Sequence, residues 1–142
     1  MRRIGNTIKI AFVALAATVC AAIVFLLTLS PVFPRGEYYE LYLGENSSGP
    51  CVATENPFLD KLRLGGVRGE SVRYAGDRAD ELLSRYHARV LYEEPACGVM
   101  NYYCYSPLLG NSVRLMGYYV NLHIAVSETQ TAAGTPIIFG GF

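Results

Sequence analysis

The chain has 142 residues, with 12 basic and 12 acidic side chains, 11 tyrosines, 4 cysteines and no tryptophan. With an apolar N-terminal segment set aside, that length suffices for one small domain and not for two. The zero net charge divides into +3 over residues 1–9 and −3 over residues 10–142. Most of the chain therefore lacks the basic stripe that neutralises phosphates, and nucleic acid is not an expected partner.

Residues 1–9 carry Arg2, Arg3 and Lys9 and no acid. Residues 10–29, IAFVALAATVCAAIVFLLTL, hold 20 residues without charge, proline or glycine. At about 1.5 Å rise per residue such a helix covers about 30 Å, the thickness of a bilayer core. Its 11 Ile, Leu, Val and Phe residues favour insertion by about 3–7 kcal/mol. The spacing predicts a single transmembrane helix over 10–29 in contact with membrane lipid. The basic flank keeps residues 1–9 cytoplasmic and places residues 31–142 outside the plasma membrane. The rival is a cleaved signal peptide; the apolar run exceeds the usual length, and Thr28, Leu29, Ser30 and Pro31 make a poor cleavage site. Ala14, Thr18 and Ala22 recur every four residues, a spacing at which two helices can approach, so a homo-oligomer is conceivable.

Residues 30–66 read as a linker and loop-rich segment. Pro31 and Pro34 stop the helix, and SPVFPRG is expected to be short and stiff. Residues 37–43 fit a strand. Residues 44–57 are dense in turn formers, with a glycosylation sequon at Asn46. Residues 58–66 suit either a short helix or a strand.

Residues 67–142 carry the clearer pattern. A strand is expected over 71–75, then a helix capped by Asp77 in which Ala79, Leu82, Leu83 and Tyr86 form the buried stripe. Strands follow over 88–93 and 99–106, with a turn at 95–98. A hairpin pivots near Gly117, and a strand over 118–127 has Val120, Leu122, Ile124 and Val126 on one buried face. A last apolar strand is expected over 135–139. The order predicts an α+β extracytoplasmic domain: an antiparallel sheet with one packed helix.

The strings GVMNYYCYSP at 98–107, VNLHIAV at 120–126 and GTPIIFGGF at 134–142, with ESVRYAGDRADELLSRY ahead of them, carry a resemblance. Residues 67–142 resemble the YwmB family, membrane-associated proteins of Gram-positive bacteria with a fold like that of the TATA-box-binding protein. The resemblance implies that fold and no reaction, so no catalytic residue follows from it.

Cys51, Cys97 and Cys104 are candidates for a disulfide or a reactive thiol. Along an extended strand Cys97 and Cys104 stand about 23 Å apart, well beyond disulfide reach. A bridge would therefore join Cys51 to one of them. His87 and His123 have no metal-ligand spacing with the cysteines, and no nucleophile has a base placed beside it by the sequence. His123, opposite the apolar face of its strand, is expected to be an exposed or half-buried ring. Tyr103, Tyr105, Tyr118 and Tyr119 are the candidate partner surface, set against the simpler reading that tyrosine is a good strand residue. The expectation is a non-enzymatic envelope-accessory or interaction domain with a protein or cell-wall partner. It has no cofactor, no metal site and no catalytic residue; the alternative is a thiol enzyme or redox protein using Cys97 or Cys104.

Overall fold

A computed structural model describes residues 2–44 and 48–140. The sequon at Asn46 and the last residues of the 134–142 string lie outside the described residues. The chain divides into two units, Met1–Ser30 and Pro31–Phe142.

The first unit is helix α1, Arg2–Leu29, which continues without a break beyond the apolar run. Its stretch Asn6–Leu29, 24 residues, has the length and composition of a membrane span. The Thr18 hydroxyl donates to the Ala14 carbonyl at 3.0 Å and that of Thr28 to Phe25 at 2.6 Å. Both hydroxyls are thus satisfied inside the helix.

The second unit begins β1 (Tyr38–Tyr42), β2 (Cys51–Thr54), α2 (Pro57–Leu64), β3 (Gly69–Ala75) and α3 (Ala79–Arg85). It continues β4 (Arg89–Ala96), β5 (Val99–Tyr105), β6 (Val113–Leu115), β7 (Tyr118–Val120), β8 (Leu122–Val126) and β9 (Gln130–Thr135). Seven strands form an antiparallel sheet in the order β2-β1-β3-β9-β8-β5-β4, and β6 and β7 form a separate pair. The α+β class stands, with two helices in the domain rather than one.

The boundary expected near residue 66 falls inside this unit. Residues 38–54 supply an edge hairpin whose inner strand pairs with β3 from Tyr38↔Arg73 to Tyr42↔Gly69. Residues 57–64 are helical because Asn56 accepts from the Leu59 N–H, Pro57 occupies the first turn and Gly65 ends it at φ 60°. The stretch expected as a short stiff linker belongs, from Pro31 to Gly36, to the packed second unit. Phe33 is fully buried, and its N–H donates to Glu70 Oε1 at 3.2 Å. Three tyrosine hydroxyls hold this stretch by its carbonyls: Tyr39 to Phe33 at 2.8 Å, Tyr86 to Val32 at 2.6 Å and Tyr74 to Pro34 at 3.2 Å.

One face of the sheet forms the core. Tyr39, Val72, Cys104, Leu122, Ile124 and Ala133 meet Ala79 and Leu82 of α3, Tyr86 at its C-terminal cap and the ring of Phe33. The expected stripe on α3 is therefore the buried one. The cap differs: Asp77 Oδ1 receives the Ala79 N–H at 2.9 Å, Arg78 is the cap residue, and its N–H donates to the Thr131 hydroxyl at 2.9 Å. A hydroxyl from β9 thus joins the Asp77 carboxylate at the helix start.

Three strand boundaries move for identifiable reasons. β4 runs on to Ala96, and the turn is two residues, Cys97 and Gly98, both at positive φ, as a tight hairpin requires. The strand expected over 118–127 breaks at Asn121. Its side-chain amide accepts the Ser106 N–H at 2.7 Å and donates to the Ser106 and Leu109 carbonyls at 2.8 and 2.9 Å, standing in for a peptide group. The last strand is residues 130–135, not 135–139. Residues 136–140 instead return across the second face of the sheet. There the Ile138 N–H meets His123 Nδ1 at 3.4 Å, Phe139 packs edge-on against Tyr42 at 5.1 Å, and the Gly140 N–H donates to the Tyr42 hydroxyl at 3.3 Å.

Candidate functional site

Antiparallel pairing decides which rings meet on the second face. Tyr103 stands opposite His123 across β5 and β8 and opposite Tyr92 across β4 and β5. An irregularity between Val90 and Tyr92 keeps Val90 on the core face while Tyr92 turns to the other. The result is an aromatic ladder. Tyr103 is stacked on His123 at 4.4 Å and 12°, and on Tyr92 at 4.4 Å and 15°. Tyr118, from β7, closes the row against Tyr92 at 6.0 Å.

The inner end of the ladder is fixed by hydrogen bonds. Because His123 Nδ1 receives the Ile138 N–H, Nε2 carries the ring hydrogen and donates to Asn101 Oδ1 at 3.0 Å. Asn101 in turn donates to the Glu94 carbonyl at 3.1 Å. His123 is therefore buried, not exposed, because residues 136–140 cover a face that alternation alone assigns to solvent. Burial lowers its pKa from 6.5 to about 4.

The sign of that shift gives a prediction. His123 must charge on unfolding below pH 6.5 but resists charging when folded. Its contribution is complete above about pH 6.5 and is lost as pH falls towards 4, a change on the order of 3 kcal/mol. Urea midpoints measured between pH 7 and 4 should fall steeply for the native chain. His123→Phe, which keeps a flat ring, should flatten that dependence.

The outer end is open. Tyr105, Tyr118 and Tyr119 are 42%, 48% and 62% exposed, and Met116 at the tip of the β6–β7 turn is 84% exposed. Of the four tyrosines named as a candidate surface, three are exposed. Tyr103 is half-buried inside the ladder, its hydroxyl donating to Glu94 Oε2 at 3.3 Å, and it acts as support. Burial raises the pKa of Tyr103 and Tyr92, with Glu94 adding to it, so both phenols stay neutral. Tyr92 is the member of this site that sequence reasoning missed, since the local irregularity hides its face.

The cysteines do not converge. All four are free thiols. Cys51 is on edge strand β2 and Cys104 on β5, five strand steps away, which is about 24 Å and beyond bridging. Cys104 is fully buried, and burial pushes its pKa up to about 12, with Glu93 adding to it. A thiol in that state is a poor nucleophile. Cys104 pairs with Leu122 and Tyr103 with His123, so Cys104 and His123 project from opposite faces. Cys97 is exposed at its turn. Among the described residues no three of His, Cys, Asp or Glu gather as metal ligands.

The class so defined is an antiparallel α+β domain following an apolar helix of membrane-spanning length. No family model, curated protein or solved structure matches the chain.

Proposed function

We propose that this protein is a single-pass membrane anchor, cytoplasmic at residues 1–9, carrying an extracytoplasmic domain that binds a protein partner through Tyr105, Tyr118, Tyr119 and Met116. The observation that carries the reading is the rigid ladder behind an open aromatic edge. Tyr92 and Tyr103 are stacked and the Tyr103 hydroxyl is hydrogen-bonded to Glu94, so the Tyr118 ring, which meets Tyr92, rests on a support that loses little conformational freedom on binding. Tyrosine and methionine are the side chains enriched where proteins meet. The helix confines the domain to the bilayer surface, and the basic flank with the acidic remainder supports its orientation. The likeness of residues 67–142 to the YwmB family belongs to the same proposal, supported by the α+β domain and the apolar helix.

The test uses the full chain in its native membrane. Cross-linking followed by purification should recover a partner with the native chain, and recovery should fall at least tenfold with Tyr105→Ser, Tyr118→Ser and Tyr119→Ser combined. The melting temperature should stay within a few degrees, because all three rings are exposed. Equal recovery from the triple variant would refute the surface. Loss of cellular function in Cys97→Ser or Cys104→Ser with an intact fold would instead favour the thiol alternative. Protease added to intact cells should digest the domain; protection until lysis would refute the orientation.

A further inference from the structure

The opposite side of the domain holds a small cleft of about 150 Å³ between the start of the unit, β3 and α3. That is room for about five waters, too little for a nucleotide and enough for one tetrahedral anion. Its charged lining is Arg35, Arg78 and Arg85 against one acid, Glu81; Pro34, Tyr74 and Leu82 complete it. Three of the nine basic residues of a unit that also has twelve acids thus line one opening. The net charge there is positive in a domain that is negative as a whole.

The arrangement has an internal place-holder. Glu81 binds Arg78 at 2.8 Å and Arg85 at 3.0 Å, which orients both guanidiniums and keeps its own carboxyl below the usual range through the hydrogen bond from Arg78. Arg35 forms no ion pair among the described residues and sits at φ 62°. The backbone at this turn is held by Tyr74, whose hydroxyl donates to the Pro34 carbonyl at 3.2 Å.

We propose that this cleft binds a phosphate group, gripped by Arg35, Arg78 and Arg85, with Leu82 against its ester carbon. Guanidinium forks match the paired oxygens of phosphate, and such charge-assisted bonds are the strong ones. Two sources share this chemistry: an anionic lipid headgroup and a soluble phosphate ester. Arg35 follows the last residue of α1 by six positions, so the chain keeps it within about 22 Å of the helix end. That favours the headgroup, a choice resting on the anchoring reading, whereas the phosphate chemistry does not.

The experiment labels arginines with a dicarbonyl reagent on the full chain in maltoside micelles, which contain no phosphate, and reads each site by mass spectrometry. Phosphatidylglycerol added to the micelles, or inorganic phosphate added alone, should protect Arg35, Arg78 and Arg85 several-fold while Arg63 and Arg114 label unchanged. Glu81→Gln should deepen the protection, and Arg35→Gln should weaken it about tenfold at Arg78 and Arg85. All these positions are exposed, so folding is preserved and is checked by melting. Protection by lipid alone assigns the headgroup, and protection by phosphate alone assigns a soluble ester. Protection by neither, or equal protection at Arg63 and Arg114, overturns the proposal. The mass of the intact chain shows separately whether residues 1–30 are retained, so failure of the anchor and failure of the cleft are told apart.

Discussion

Lys61→Met should destabilise the domain by about 3–5 kcal/mol. Lys61 of α2 pairs with Glu70 of β3, and their side chains are 9% and 2% exposed. Removing the ammonium leaves Glu70 Oε2 without its ion partner, and that oxygen has no other hydrogen-bond partner among the described residues. The cost is the desolvation of a stranded charge more than the lost attraction. The double variant Lys61→Met with Glu70→Gln should recover most of the loss. Glutamine keeps an oxygen for the Phe33 N–H, which Glu70 Oε1 accepts at 3.2 Å, and carries no charge. Urea denaturation of the full chain in micelles measures both. A single variant within 1 kcal/mol of the native chain would mean that the pair does not hold α2 to the sheet.

Phe33→Ala should cost about 3–5 kcal/mol, the range for deleting a buried aromatic ring. Phe33 is fully buried and meets Tyr86 edge-on at 5.5 Å. Were residues 31–36 a solvated linker, the same change would cost almost nothing, so the measurement separates the two descriptions. Gly36→Ala should also destabilise, because a Cβ there would fall 1.9 Å from Val72 Cγ2. The chain passes this close to the sheet only without a side chain.

What the sequence made legible was the periodicity of whole elements. The apolar run of α1, the buried stripe of α3 and the alternation in β8 each report a repeating environment, and each element forms where its pattern lies. What stayed hidden was long-range. Phe33 owes its burial to Glu70, Tyr39 and Tyr86, none of them neighbours in the chain. β9 is buried on both sides and built from small residues, QTAAGT, so it shows no apolar alternation. Gly134 must be small because Ile137 and Ile138 lie over it, with the Ile138 nitrogen 2.9 Å from where a Cβ would stand. The burial of His123 follows from the same overlying segment. Of the candidate surface, the exposed tyrosines were visible as strand residues, whereas the ladder behind them depends on strand register and on the shift beside Tyr92. Arg78 and Arg85 share one helix, whereas Arg35 joins them only in the packed fold.

Strand β9 arrives after every other strand yet lies at the middle of the sheet, between β3 and β8. While a ribosome releases the chain, the earlier strands can make two partial assemblies, β2-β1-β3 and β8-β5-β4, each with a raw inner border. Residues 130–135 act as the keystone that joins them. Until they emerge, the nascent protein presents two unsatisfied borders open to wrong pairing, a window in which a chaperone would matter most.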